Sequence, residues 1–413
     1  MWSRLVAVAL FVVVAVVVVA GCGETTSRLG GDAPAIGGLP DVAPMGWNSW
    51  NTFGCGVTEA DVHAQADALV SSGLRDAGYR YVVIDDCWSA TTRDGQGRLV
   101  ADPVTFPSGM AAMGRYLHQR GLKFGIYAGA ATQTCAQLLG NRAGSTGSEG
   151  HEQIDAHTFA DWGVDYLKYD WCAPDADHDR QLTAFTAMRD ALRSVSRPIV
   201  YNINPNSGIT DGAVPGATYD WGGVATMTRL SNNVIASWQT GAGPAGQRGV
   251  VDEIDAAAPL TDRVQPGAFL DPDALVVGLG NLTPAMGRTQ MAMWAMLAAP
   301  LIASCDLTTM SPDTLRTLRS AAVIALDQDA DVRAGRPVDD NPEIWQRGLR
   351  HGVAVSLTNR DSHPRTMAVR LSDLDLPEST TFTDAWSGRA VSTTDGWVSV
   401  LVAAHDTALL TAG

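Results

Sequence analysis

From Met45 onward, short apolar runs alternate with stretches in which apolar residues recur every three or four positions. The runs are Met45–Trp50, Tyr79–Asp85, Leu122–Tyr127, Val164–Asp170 and Pro198–Ile203, with weaker ones at Ala217–Trp221, Val250–Asp252 and Leu297–Ser304. Between them, Glu59–Ser72, Met110–Arg120, Ile154–Trp162, Asp179–Val195 and Arg288–Met296 carry helical periodicity. Continuous apolar strands joined by helical crossovers are the pattern of a parallel sheet covered on both faces. About eight such units over roughly 290 residues predict an α/β fold of the (β/α)8 TIM-barrel type rather than an open doubly wound sheet. No G-x-G-x-x-G follows the first strand, which argues against a dinucleotide-binding half.

Beyond about residue 330 the pattern shifts toward period two. Val353–Thr358, Thr366–Leu371, Gly396–Val402 and Asp406–Leu410 read as short strands separated by Asn, Asp, Gly and Pro. They predict a C-terminal antiparallel β-sandwich over residues 331–413, after a barrel over 41–330. Residues 5–20 are almost wholly apolar behind Arg4, short for a membrane span and shaped like a signal h-region. The run ends Val19-Ala20-Gly21-Cys22, which resembles a bacterial lipobox. This predicts a lipoprotein signal peptide over 1–21 and a mature chain that begins at a lipidated Cys22. Residues 22–40 would then form a flexible tether rich in Gly, Ser, Thr and Pro, and the protein would be an extracytoplasmic cell-membrane lipoprotein. The alternative is an uncleaved N-terminal anchor.

The chain has 413 residues, 46% of them hydrophobic and 18% charged, which excludes a disordered chain. With 44 acidic against 29 basic residues the net charge is −15, so no nucleic-acid partner held through phosphates is expected. Lysine occurs only at positions 123 and 168, which makes each one conspicuous. Apart from Cys22, the cysteines are Cys55, Cys87, Cys135, Cys172 and Cys305, an odd number in a compartment that permits disulfides. The absence of C-x-x-C and the scattered histidines argue against a structural zinc site.

Barrel enzymes hold their chemistry at the C-terminal ends of strands. Tyr81-Val-Val-Ile-Asp85-Asp86 runs straight into two acids, and Val164-Asp-Tyr-Leu-Lys168-Tyr-Asp170 does the same with the rare lysine two positions earlier. Residues two apart in a strand share a face, so Lys168 would help keep Asp170 ionised. An ionised carboxylate is what a glycosidase nucleophile needs beside an oxocarbenium-like transition state. The alternative is a buried Lys–Asp pair, or acids that cap the following helices. Trp47 and Trp50 at the end of the first strand favour a sugar site.

Met45-Gly-Trp-Asn-Ser-Trp50, Ile84-Asp-Asp-Cys-Trp88, Gly125-Ile-Tyr127, Phe159-Ala-Asp-Trp-Gly-Val-Asp165 and Leu167-Lys-Tyr-Asp170 together resemble glycoside hydrolase family 27. That family holds the α-galactosidases and α-N-acetylgalactosaminidases. Asp271-Pro-Asp273, Gln290-Met-Ala-Met-Trp294, Ala298-Ala-Pro-Leu301 and Asp327-Gln-Asp329 extend the resemblance over roughly residues 40–330. The resemblance implies that Asp170 is the nucleophile and that Asp85 and Asp86 bind sugar hydroxyls. It implies Lys168 as hydroxyl ligand and electrostatic partner, Trp47 as a wall against the sugar and Tyr127 as a hydroxyl near the nucleophile. Arg229 and Asp273 are further expected substrate-binding positions. It also implies disulfides Cys55–Cys87 and Cys135–Cys172, a free Cys305, and no metal or organic cofactor.

Three positions depart from the family pattern. The acid/base carboxylate expected four residues after Arg229 is Asn233, which can donate a hydrogen bond but cannot transfer a proton. Asp220, Asp252 and Glu253 are candidate substitutes. The residue that separates the two family activities falls at Asn204 and matches neither type. Gly267-Ala-Phe-Leu270 replaces a Trp-Asn pair before Asp271. The expected function is retaining hydrolysis of a terminal α-galactoside or a related glycoside, such as a β-L-arabinopyranoside. The rival is a sugar-binding protein that has lost proton transfer.

Overall fold

The computed structural model describes residues 36–39, 41–175, 177–207, 215–241 and 246–413. The expected signal peptide, Cys22 and all of the expected tether except residues 36–39 lie outside these.

Eight parallel strands follow one another around a sheet: β1 (Met45–Asn48), β2 (Tyr81–Ile84), β3 (Lys123–Gly129), β4 (Val164–Asp170), β5 (Val200–Asn204), β6 (Met227–Arg229), β7 (Phe269–Asp271) and β8 (Leu301–Ala303). From β1 to β7 each strand pairs with the next in sequence, and β8 pairs with β1, Met45 lying opposite Leu301. Just past β7, Leu275 pairs with Ala303 and its N–H donates to the Ile302 carbonyl at 2.7 Å, which closes the ring. Helices Glu59–Ser71, Met110–His118, Glu152–Trp162, His178–Ser194, Val250–Ala257 and Pro284–Met296 cover the outside. Local chemistry sets their ends. Thr58 and Asp61 form a capping box, and Gly163 in the left-handed region (φ 80°) stops Glu152–Trp162 one residue before β4 begins. Gly46 is required where β1 crosses β2, because a Cβ there would meet the Tyr81 carbonyl oxygen at 2.2 Å.

Two of the weak strand expectations are corrected. Ala217–Trp221 falls partly in the short helix Pro215–Thr218, and strand six is Met227–Arg229 instead. Val250–Asp252 opens a helix, because Asp252 at its third position accepts the Gly249 N–H at 2.9 Å and fixes a helical start. Strand seven is Phe269–Asp271. Strands of three residues are too short to display a period, so apolar runs nearby drew the assignment away.

The C-terminal region forms a six-stranded antiparallel sheet and a three-stranded one. Val353, Val355, Leu357, Met367, Val369, Val398 and Leu410 fill the space between them. The strand Asn341–Gly348, which the sequence pattern does not single out, pairs with Val353–Thr358. Helix Pro284–Met296 lies between the barrel and this module and is buried from Thr289 to Met296. Across the joint, Arg288 pairs with Asp406, and the buried Arg347 guanidinium donates to the Ala295 carbonyl.

Disulfides join Cys55 to Cys87 and Cys135 to Cys172, and Cys305 is free and buried. The second closes a loop with a sequence separation of 37 and pins the segment after β3 to the residue two beyond Asp170. Replacing Cys135 and Cys172 together by Ser should lower the unfolding free energy by about 2–4 kcal/mol through the freed chain entropy. Chemical denaturation of the oxidised wild type and the double variant measures this; equal midpoints would refute it.

Candidate active site

The carboxyl ends of the strands converge on two adjoining cavities. The outer one, of about 380 Å³, is lined by Trp50, Asp85, Asp86, Tyr127, Lys168, Asp170, Ser207, Asn232, Asn233 and Gln247, among others. A smaller inner one adds Asn48, Tyr166, Asn202, Arg229, Asp271 and Asp273. The period of two in β4 places Tyr166, Lys168 and Asp170 on the inward face, while Leu167 and Tyr169 join the hydrophobic core.

Charge pairing organises the floor. Lys168 Nζ donates to Asp85 Oδ2 at 2.7 Å and lies 3.7 Å from Asp170 Oδ2. Asn48 Nδ2 donates to the same Asp85 oxygen at 2.7 Å. Burial works against the Lys168 ammonium, but Asp170 and Asp85 more than offset it and raise its pKa. Burial pushes the Asp170 carboxyl up to about 6; Lys168 pulls it back, and Asp85 adds to the rise. Asp170 Oδ1 has no hydrogen-bond partner within the protein. Asp170 thus offers an unpaired oxygen that is ionised above about pH 6.

Asp86 is held by the N–H groups of Cys87 (2.6 Å) and Ala136 (2.8 Å), against a burial effect that raises its pKa. The Tyr127 hydroxyl accepts the Cys135 N–H at 3.1 Å and lies 3.1 Å from Cys172 Sγ, so the second disulfide orients this ring. On the opposite wall, Arg229 Nη2 lies 2.9 Å from Asp273 Oδ2 and donates to Asn233 Oδ1 at 3.2 Å. That bond leaves the Asn233 Nδ2 group as the end available to a ligand. Asp273 also accepts the Val234 N–H at 2.8 Å, so this carboxylate is committed to the wall.

Of the positions expected from sequence, Asp85, Asp86, Tyr127, Lys168, Asp170, Arg229, Asn233 and Asp273 are brought together. Trp47 and Asn204 are not. Trp47 is fully buried, with Nε1 donating to the Cys305 carbonyl at 2.8 Å, and Trp50 lines both cavities instead. Asn204 spends its amide on the following turn, donating to Ser207 Oγ and accepting the Asn206 N–H; Ser207 reaches the cavity. The proposed acid/base substitutes also lie elsewhere. Asp220 borders a separate cleft, Asp252 caps its helix, and Glu253 is fully buried behind the Ser231 turn. Sequence reading missed Asn48, Tyr166 and Asn202. Asn202 Nδ2 donates to Asp271 Oδ2 and to the Tyr166 hydroxyl, both at 2.7 Å. For Tyr166 and Asn202 the signal was the period of two in β4 and β5, which puts Tyr166 on the face of Lys168 and Asn202 on that of Asn204.

Among the described residues, Cys135, Asp170 and Cys172 are the one group whose ligand atoms cluster closely enough for a metal. Its two sulfurs are bonded to each other, which leaves a single carboxylate.

The alpha galactosidase A family profile matches residues 42–329, and the alpha galactosidase C-terminal beta sandwich profile matches 339–412. An alpha-galactosidase from Oryza sativa subsp. japonica is 38% identical over 89% of this chain and 84% of its own. Alpha-galactosidase A from Cellvibrio japonicus is 39% identical over 78% and 77%. The crystal structure of alpha-galactosidase I from Mortierella vinacea superposes with a TM-score of 0.81 at 30% identity, covering 91% of this chain and 98% of that one. With its parallel barrel, its C-terminal sandwich and these matches along nearly the whole described chain, the protein belongs to the alpha galactosidase A family, glycoside hydrolase family 27, and is a glycoside hydrolase.

Proposed function

We propose that the protein hydrolyses terminal α-galactosides with retention of configuration, using Asp170 as nucleophile. The observation that carries this reading is the unpaired Asp170 Oδ1 in a cavity whose opposite wall holds Asn233. Asp170 attacks the anomeric carbon as the bond to the leaving oxygen breaks, and a covalent glycosyl-enzyme forms. Water then displaces the carboxylate from the vacated face. Asp85, Asp86 and Lys168 supply a carboxylate and ammonium array suited to the sugar's hydroxyls. A related solved structure, alpha-galactosidase from Saccharomyces cerevisiae, was determined with raffinose, which supports an oligosaccharide substrate here. Leu139 is 67% exposed at the cavity's edge and suits an apolar leaving group.

Asn233 in the acid/base position limits both steps, since general acid/base help is worth about 10²–10⁴-fold. Turnover should therefore favour glycosides whose leaving oxygen needs no proton. The same observation favours a second reading, a galactoside-binding protein with little hydrolysis. The Val-Ala-Gly-Cys22 sequence behind its apolar run supports secretion and membrane tethering through lipidated Cys22.

With a dinitrophenyl α-galactoside, kcat/KM should rise about tenfold per pH unit up to about pH 6, where Asp170 becomes ionised, and then stay level through neutral pH. Asp170→Asn should remove turnover while the circular dichroism spectrum is unchanged; near-normal turnover by the folded variant would sink the assignment.

Asn233→Asp should raise hydrolysis of unactivated α-galactosides by about 10²-fold or more. Azide should speed the wild type on the activated substrate, yielding the α-glycosyl azide, because it needs no base. Fast wild-type cleavage of unactivated substrates, unchanged in Asn233→Asp, would place the proton transfer elsewhere. Galactose binding without turnover in either protein would establish the binding reading.

A further inference from the structure

Helix Val250–Ala257 turns Val250, Val251, Ile254 and Ala257 into the core, and Glu253 sits fully buried among them. A carboxyl at the centre of an apolar helix face needs a reason. Its Oε1 makes a very short contact with Ser231 Oγ, while Oε2 has no hydrogen-bond partner. Ser231 is also fully buried, in the turn that runs from Arg229 to Asn233. Its Oγ lies 2.9 Å from the Asn232 carbonyl, which also accepts from Arg229 Nη2 at 3.1 Å. A serine hydroxyl has one proton. If Ser231 gives it to Asn232, the proton between Ser231 and Glu253 must belong to Glu253. An ionised Glu253 would instead leave Oε2 as a bare buried charge.

We propose that Glu253 is a positioning residue: as a neutral acid it donates to Ser231, frees the Ser231 proton for the Asn232 carbonyl, and so holds the Arg229–Asn233 turn in the shape that presents Asn232 and Asn233 to the sugar site. When Glu253 ionises, its carboxylate competes for the Ser231 proton, and the Asn232 carbonyl loses that donor. The new charge also draws on Arg229, which otherwise serves Asp273, Asn232 and Asn233. The charged groups that face Glu253 are Arg229 from β6, Arg248 from the turn before its helix, and Asp273 from beyond β7. Burial pushes the Glu253 carboxyl up to about 8; Ser231 and the two guanidiniums pull it down, and Asp273 adds to the rise. The switch thus falls in a mildly alkaline range. Burial holds the Tyr127 hydroxyl well above its usual range and the Cys305 thiol at about 12, so neither accounts for a transition there.

The role of Glu253 in sugar handling rests on the glycosidase reading; its hold on the turn does not. The test uses the full chain as wild type, Glu253→Gln and Glu253→Ala. The first readout is kcat/KM for the dinitrophenyl α-galactoside from pH 5 to 10, with galactose affinity over the same range. The second is hydrogen exchange of the peptide covering residues 229–238. Wild-type kcat/KM should fall about tenfold per pH unit above pH 8. Glu253→Gln should lack this fall, because its amide donates to Ser231 at every pH. Glu253→Ala should be weak at all pH values and should exchange the 229–238 peptide at least about tenfold faster, while Glu253→Gln should match the wild type. Superimposable wild-type and Glu253→Gln profiles, or wild-type exchange in Glu253→Ala, would overturn the proposal. If the wild type neither turns over nor binds galactose, the glycosidase reading fails while the exchange comparison still decides whether Glu253 holds the turn.

Discussion

The Lys168 ammonium stands between Asp85 and Asp170 at the mouth of the barrel, and the remaining site is arranged around that triad. Two carboxylates this deep would repel each other and take up protons without a cation between them. One lysine in a chain that otherwise uses arginine almost exclusively fits the requirement. A compact point charge on a flexible stem reaches both acids without imposing the planar fork of a guanidinium. The triad is asymmetric. Asp85 is bound at hydrogen-bond distance by both Lys168 and Asn48, whereas Asp170 keeps a longer contact and one unpaired oxygen. That asymmetry separates a carboxylate committed to its protein partners from one with an oxygen left open to the cavity.

The elements around the triad keep it from relaxing. β1, β2 and β4 supply Asn48, Asp85 and the Lys168–Asp170 pair, so the parallel register of adjoining strands sets their heights. The disulfide between Cys135 and Cys172 ties the segment beyond β3 to the one beyond β4, and the same segment gives its Ala136 N–H to Asp86. On the far wall Arg229 joins Asp273, Asn232 and Asn233, and the buried Ser231 and Glu253 support that turn from behind. Helix Pro284–Met296, clamped between barrel and sandwich, carries Gln290 and Trp294, which hold the segment just after β7 through the carbonyls of Ala274 and Asp273. The C-terminal module thereby braces the wall that contains Arg229 and Asp273.

Residue types and their spacing carried a large part of this by themselves. The first five strands are visible because each lies in a mostly apolar, largely buried run that stands apart from the helices between them. Asp85, Asp86, Lys168 and Asp170 are visible because ionisable residues at the end of such a run have no packing reason to be there. Strands β6 and β7 were not visible. Three residues cannot display a period, and their pairing comes from neighbours already in place. The placement of Trp47, Asn204 and Glu253 depended on the partner each side chain bonds in the folded protein. Trp47 is turned inward by the Cys305 carbonyl, 258 residues away, and Asn204 is taken up by its own turn. Sequence alone therefore determined the barrel and the strand-end positions of Asp85, Asp86, Lys168 and Asp170, because these follow from local periodicity and residue identity. The tertiary structure alone decided which polar groups face the cavity, because that depends on the partner each side chain finds in the folded chain, distant for Trp47 and within the next turn for Asn204, which no periodicity encodes.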